Sequence, residues 1–293
     1  MLMKYNIIIS TLQDKKFKMS NAEITKKVRV AVLMAAYNAE DTIKSAVDSV
    51  LASVVSVDLY IIDDGSKTPV AEYLYDMPEN VYIHRLAQNS GLPAALNEGL
   101  GILLEKDYEF IARFDADDFC YPERFIAQME YMDNHLDIMA VGCWANAIGE
   151  DSENPLFTIA HPEHHNDIVK AMYYNAAFIH PSLFFRSSSL KELEYLYNTN
   201  YRIAQDYEIM SRFIQQFKTA NVPQVLLDYS YLSEISSSKK RRHQLKNRMK
   251  IQMMYFRPSA LHSWLGILKT TGLFLMPMRV TTYLKGFILG TKK

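Results

Sequence analysis

Apolar residues along this chain follow two alternating periods. Val28 to Met34 (VRVAVLM) is a short β-rich run, and beyond Asn38 the positions Ile43, Ala46, Val47, Val50 and Leu51 fall at i, i+3, i+4, i+7 and i+8. That spacing predicts a helix, which Asn38 can cap. A second apolar run, Val57 to Ile62, ends in Asp63-Asp64-Gly65-Ser66. A third, Val81 to Leu86, precedes Asn89-Ser90-Gly91 and a helical stretch from Pro93 to Lys106. Tyr108 to Phe114 reads as a fourth strand closing in Asp115-Ala116-Asp117-Asp118, after which Pro122 opens a helix carrying Phe125, Met129 and Met132. Strand and helix alternate, so the fold class is α/β with a largely parallel sheet. In such a sheet ligands collect beyond the carboxyl ends of the strands. Three of these four strands end there in polar loops, Ala35-Ala36-Tyr37-Asn38 being the first.

The 293 residues, 49% hydrophobic and 22% charged, supply a full core and exclude a disordered or collagen-like chain. They suffice for one large domain with an appendage or for two small ones. The near-zero net charge hides an asymmetry. From Lys239 onward there are thirteen Lys or Arg and no acid, so residues 1–238 hold 19 basic residues against 33 acidic ones. A body at −14 followed by a segment at +13 points to a tail that prefers anionic surfaces. Cys120 and Cys143 are too few for a disulfide scaffold and lack zinc spacing, which suits a reducing cytosol and two buried spectators. Residues 1–27 read as a tail without a secretory h-region, with Met1 or Met19 as the start. The most apolar stretch, Trp264 to Leu289, is interrupted by Lys269, Pro277, Arg279 and Lys285, so a spanning helix is not expected.

In an extended segment Asp115 and Asp117 project to one side while Ala116 faces away, and their repulsion invites a divalent cation. All-oxygen ligands favour Mg²⁺ or Mn²⁺, with a phosphate completing the coordination sphere. A lone D-x-D is often only a solvated turn. Here it follows a buried strand and has a second acidic loop beside it. Asp63 and Asp64 can accept hydrogen bonds from a base imide or a ribose hydroxyl, or can serve an ordinary strand-to-helix turn.

Six ordered motifs carry a resemblance: V-x-V-x-x-A-A-Y-N, I-I-D-D-G-S, N-S-G-L-P-A-A-L-N-E-G-L, Y-E-F-I-A-R-F-D-A-D-D-x-x-x-P-E-R, I-H-P-S-L-F-F-R and A-Q-D-Y-E-I-M-S-R. From about Val28 to about Leu227 the chain resembles the family 2 glycosyltransferases of GT-A fold, and particularly bacterial enzymes that build lipopolysaccharide, capsule or other surface glycans. The resemblance implies a mostly parallel mixed sheet flanked by helices. It also implies an inverting transfer from a nucleotide diphosphate sugar, most often a UDP-sugar, with Mn²⁺ or Mg²⁺. Carried over by position, Ala35 and Tyr37 belong to the nucleotide pocket, Asp64 is the uracil contact and Asp63 its support. Asp115 faces ribose and metal, Asp117 is the principal metal ligand, and Asp206 is the catalytic base. Gln205 stands where the family more often has Glu.

His180, before the apolar run Ser182 to Phe185, lies in that pattern near the donor phosphates or the acceptor; it can equally be a structural histidine at a strand start. Asn89, Arg113 and Arg212 have similar standing, and Arg113 can neutralise phosphate or pair with a local acid. Asp206 begins a helix whose apolar stripe is Tyr207, Met210, Phe213, Ile214 and Phe217, which would aim it at the cleft.

The reading thus divides the chain into a tail (1–27), a transferase domain (28–235) and a basic amphipathic helical extension (236–293). Lys239 to Lys250 followed by Trp264–Leu268 and Leu273–Met276 suits an anionic membrane surface. The plainer alternative is a helical extension whose apolar residues cover the core. Nucleic acid is not expected as a partner, since no reader motif accompanies the basic stretch. The acceptor is expected to be a surface glycan or lipid-linked saccharide on the cytoplasmic face of a bacterial plasma membrane. Two rivals are a scaffold that binds nucleotide sugars without catalysis and a nucleotidyltransferase; the latter would usually need a glycine-rich phosphate loop where Ala35-Ala36-Tyr37-Asn38 stands.

Overall fold

The computed structural model describes residues 28–149, 154–231 and 238–276, with side chains of the last segment from 241 onward. The proposed tail at 1–27 and residues 277–293 lie outside the described residues. Nine strands form one mixed sheet in the order β3-β2-β1-β4-β8-β6-β9-β5, with β7 beside β6. The four strands read from the sequence are β1 (Val30–Ala36), β2 (Val57–Asp63), β3 (Val81–Arg85) and β4 (Phe110–Asp115), and all are parallel. The remainder are β5 (Phe119–Cys120), β6 (Ile138–Ile148), β7 (Phe157–Ile159), β8 (Phe184–Arg186) and β9 (Lys218–Ser230). Only β8, between β4 and β6, runs antiparallel within the centre of the sheet.

The sheet is buried on both faces because its central strands are apolar at successive positions. Val30, Val32 and Met34 of β1 pack with Ile43, Val47 and Val50 of α1 (Ile43–Leu51), while Ala31 and Leu33 face Leu96, Leu100 and Leu103 of α3 (Leu92–Leu104). A short α2 (Val70–Tyr73) lies between them in sequence, and α4 (Arg124–Asn134) adds Phe125, Met129 and Met132 to the first layer. Helices α5 (His165–Met172), α6 (Ser187–Lys191) and α7 (Gln205–Phe213) build the second layer. Cys120 and Cys143 are buried free thiols, raised to about 11 and about 12 by burial despite the nearby Arg124 charge.

Several local expectations are corrected. Asn38 does not cap α1; it adopts a positive φ of 50°, its Oδ1 accepts from the Lys67 amide, and its own amide donates to Ser66 Oγ. Its side chain is therefore spent on joining two loops, and Thr42 occupies the cap position. His180 lies in a 3₁₀ turn, His180–Ser182, rather than at the start of a strand. Helix α7 ends at Phe213, and Tyr207 through Phe213 are all buried, so it is enclosed on every side instead of presenting a stripe.

The C-terminal extension forms two helices, α8 (Ser238–Met254) and α9 (Leu261–Leu275), packed on each other and on α7. Leu245 and Ile251 of α8 are buried, but α9 turns inward only Ser263, Gly266 and Thr270. Leu261, Trp264, Leu265, Leu268 and Leu275 of α9 are exposed and do not cover the core, while Ile267, Leu273 and Phe274 are half-buried. Gln252 Nε2 donates to the Tyr173 carbonyl at 2.7 Å, and the same carbonyl leaves no room at Gly266, where a Cβ would fall 1.9 Å from the oxygen. Gly266→Val should therefore lift α9 away, weakening its local closure by roughly 1–3 kcal/mol. Amide exchange across 261–275 should accelerate while the sheet stays protected; unchanged exchange there would contradict this packing.

Candidate active site

Parallel register places the acidic strand ends together. Ala35 of β1 pairs with Ile62 on one side and with Asp115 on the other, and Ala36 pairs with Asp63. The loops after β1, β2 and β4 consequently leave the sheet at one edge, where an α/β sheet presents its ligand crevice.

Asp63 is fully buried and acts inward. Its Oδ1 accepts from the Ser66 amide at 2.8 Å, and its Oδ2 accepts from the Val70 amide at 3.1 Å and Arg85 Nη1 at 2.7 Å. Burial pushes its pKa up, but the Ser66 and Val70 bonds and the Arg85 charge outweigh burial and hold it below the usual range. Asp64 grips the next loop, accepting from the Ser90 amide at 2.7 Å, the Gly91 amide at 2.8 Å and Asn89 Nδ2 at 3.1 Å. Gly65, at φ 67°, allows the two loops to touch: a Cβ there would sit 2.5 Å from the Gln88 carbonyl carbon. Asp63, Asp64 and Asn89 together fix the loops that follow β2 and β3, and Tyr37, in the loop after β1, is 49% exposed.

After β4 the chain turns rather than continuing extended, so Asp115 and Asp117 meet through a turn and not through strand alternation. Asp118 joins them, and ligand oxygens of Asp115, Asp117 and Asp118 all lie within 4.8 Å of one another. Asp118 is buried and accepts from the Ser230 amide; burial, then the charges of Asp115 and Asp117, push its pKa well up. Three crowded carboxylates, all offering oxygen, fit a hard divalent cation. Asp117 is the exposed member of the set and Asp115 is partly exposed.

Arg113 is buried and ion-pairs with Asp115, the local-acid alternative of its two readings. His180 Nε2 hydrogen-bonds to the Tyr197 hydroxyl at 2.8 Å, and His180 and Asp206 line one small pocket with Tyr207, Phe178 and Met172. Burial raises the Tyr197 pKa, Arg113 lowers it, and the charges of Asp206 and Asp115 raise it again. The charges of Asp115, at the end of β4, and of Asp206, in the first turn of α7, thus both act on this phenol. Asp206 lies in the first turn of α7, after Ala204 at a left-handed φ of 72°. Arg212 serves structure, bonding Glu208 and the carbonyls of Tyr195 and Leu196.

Four residues that sequence reasoning left without roles organise this site. Arg124, fully buried, donates through Nη2 to the carbonyls of Arg113 at 2.9 Å and Pro181 at 2.7 Å, and through Nε to Gln128. Its guanidinium lies against the rings of Phe114 and Phe125, and Gln128 Nε2 reaches the Ser182 carbonyl. One cation thus fastens the strand bearing Asp115 to the turn bearing His180. Asn97 and Tyr197 exchange two 2.8 Å bonds, side-chain amide against backbone, which pins Tyr197 on α3. The P-E-R of the fourth motif and the Asn of the third contained Arg124 and Asn97, whereas nothing local singled out Gln128 or Tyr197.

The family model described as "Glycosyl transferase family 2" matches residues 31–194, more than half the chain. The chain belongs to that family. Among its relatives, the amylovoran biosynthesis glycosyltransferase AmsE of Erwinia amylovora is 25% identical over 267 residues, covering 87% of this chain and 97% of AmsE. Solved structures share the architecture. S. aureus TarS 1–349, crystallised with UDP, superposes with a TM-score of 0.64 at 16% identity, covering 90% of this chain and 76% of TarS. The Pyrobaculum calidifontis mannosyltransferase PcManGT, crystallised with GDP-Man and Mn²⁺, gives 0.59 at 13% identity over 99% and 89%. The GT-A-like fold, with its mixed, mostly parallel sheet, is therefore established.

Burial, then the Arg113 charge, holds the His180 imidazole well below its ordinary pKa of 6.5, so the folded protein keeps it neutral. The unfolded chain binds that proton more readily, so stability is present above about pH 6.5 and falls as pH drops toward the folded value, at up to about 1.4 kcal/mol per pH unit. His180→Gln, which keeps a partner for Tyr197, should flatten the loss of denaturation free energy between pH 7 and pH 5.5. An unaltered slope would show that the imidazole is not held neutral.

Proposed function

We propose that the protein is an inverting, metal-dependent transferase that moves a hexosyl or N-acetylhexosaminyl group from a UDP-sugar to a hydroxyl of a surface-glycan or lipid-linked saccharide acceptor. The observation that carries this reading is geometric: the carboxylates of Asp115, Asp117 and Asp118 lie within 4.8 Å of one another beyond β4, and Asp206 lines one pocket with His180, which bonds Tyr197. Family membership supports sugar transfer. The relative of amylovoran biosynthesis and the TarS structure with UDP support, respectively, a polysaccharide acceptor and the uridine nucleotide.

Ala35, Tyr37, Asp64 and Asn89 line the nucleotide end, with Asp63 holding the loop that presents them. Asp115 and Asp117 would hold Mn²⁺ or Mg²⁺ against the diphosphate, with Asp118 completing the acidic set. Bound there, the cation supplies Lewis-acid stabilisation of the negative charge that develops on the leaving UDP. Asp206, on the opposite side, takes the proton of the attacking acceptor hydroxyl. The acceptor oxygen forms its bond to the anomeric carbon as the bond to the β-phosphate oxygen breaks, so configuration inverts. His180, neutral and tied to Tyr197, orients the acceptor side, and Arg113 holds Asp115 in place through its ion pair.

UDP release measured across a panel of UDP-sugars tests the reading. Asp206→Asn should lower kcat by about 10²- to 10⁴-fold with donor affinity unchanged, and Asp117→Asn should abolish the dependence on added Mn²⁺. Full transfer by Asp206→Asn would remove Asp206 as the base, and donor binding with neither hydrolysis nor transfer by the unaltered protein would favour the non-catalytic scaffold.

A further inference from the structure

Helix α9 is built inside out for a helix lying on a water-soluble protein. With 100° per residue, Leu261, Trp264, Leu265, Leu268 and Leu275 fall within an arc of about 100°. They are 67%, 51%, 41%, 65% and 74% exposed. The residues on the opposite side, Ser263, Gly266 and Thr270, are the buried ones. A helix whose only neighbours were the protein body and water would place its leucines inward. Here small residues make the close contact with the body, Ile267, Leu273 and Phe274 flank them half-buried, and four of the five leucines and Trp264 are left outside.

The charge carried by this hairpin is of one sign. Lys246, Lys250, Arg257 and Lys269 are exposed on the hairpin, and no Asp or Glu occurs anywhere from Lys239 to the end of the chain. No helix among the described residues is long and apolar enough to cross a membrane. An apolar stripe bordered by cations, on a helix too short to span, matches the interface of an anionic bilayer: leucines and Trp264 enter the acyl boundary and lysines meet phosphate headgroups.

We propose that the outer face of α9 is a bilayer-docking surface for anionic phospholipid, and that the hairpin ties this surface to the loop carrying Asp206. The inner side of the hairpin makes that link: Asn247 Nδ2 donates to the Ile203 carbonyl at 2.9 Å, immediately before the left-handed Ala204 and the start of α7. His262 meets the Tyr174 hydroxyl at 2.7 Å, and Gln252 holds Tyr173. Lipid binding rests on this surface alone; the consequence, an acceptor delivered from the bilayer to the base, rests on the transferase reading above.

Co-sedimentation of the full chain with vesicles tests it. The protein should pellet with phosphatidylcholine vesicles containing phosphatidylglycerol and remain in the supernatant with pure phosphatidylcholine. Trp264 emission should shift to the blue and be quenched by brominated acyl chains, with Trp144→Phe isolating that signal. The double substitution Leu265→Ser, Leu268→Ser, on exposed positions that leave the fold intact, should weaken vesicle binding by roughly tenfold or more, while donor binding stays unchanged. Asn247→Ala should keep vesicle binding and lower kcat, which separates the link from the anchor. Failure to pellet with anionic vesicles, or a double variant that binds as well as the parent, would overturn the docking surface. Light scattering showing a dimer that the leucine substitutions dissociate would overturn it too, assigning the face to a second copy. Vesicle binding without UDP release would leave the surface standing and strike only the transferase reading.

Discussion

Three carboxylates within 4.8 Å of one another repel, and the site exists because the fold holds them there regardless. Parallel register brings β4 to its end beside β1, Arg113 pairs with Asp115, and the Ser230 amide donates to Asp118. Behind them Arg124 binds two carbonyls and one amide side chain between two phenylalanine faces. Arg113, held by its own carbonyl on Arg124, is the cation that pairs with Asp115 and whose charge reaches Asp118, and it opposes the repulsion. A bound divalent cation would complete the same balance from the solvent side.

Much of the parallel half of the fold was legible in the sequence because each of its strands is an apolar run that ends in a polar loop. Position in the chain then implied position on the sheet edge. Asp63, Asp64, Asp115 and Asp117 could be named for that reason. What escaped were bonds between distant residues. Arg124 meets Pro181 across 57 positions and Asn97 meets Tyr197 across 100, and no spacing rule connects such pairs. The route by which Asp117 joins Asp115 was misjudged for a related reason: the strand ends at Asp115, and the turn that follows is set by where Asp118 and Ser230 meet, 112 positions apart. Asn38 illustrates the converse, a good cap residue drawn away from its helix by partners at Ser66 and Lys67.

The C-terminal segment shows how composition and structure answer different questions. Its one-sided charge was plain in the sequence, but which side of α9 faces the body was not, since both its small and its apolar residues recur at helical spacing. Gly266 decides it, because only a residue without a Cβ can approach the Tyr173 carbonyl so closely. With Gly266 inward, Leu261, Leu265, Leu268 and Leu275 point out. The same hairpin holds Ile203 and so reaches the start of α7, placing the chain's most basic segment in contact with the helix that bears the proposed base.

Anomalous diffraction at the manganese edge from crystals grown with UDP and Mn²⁺ is the most direct test that these acids form one centre. The account predicts a single strong peak at ligation distance from Asp117 and from the β-phosphate, with the uracil beside the Asp64 loop and Asp206 facing across the same cleft. A peak remote from Asp115 and Asp117, or UDP bound with Asp206 on another face of the protein, would contradict it.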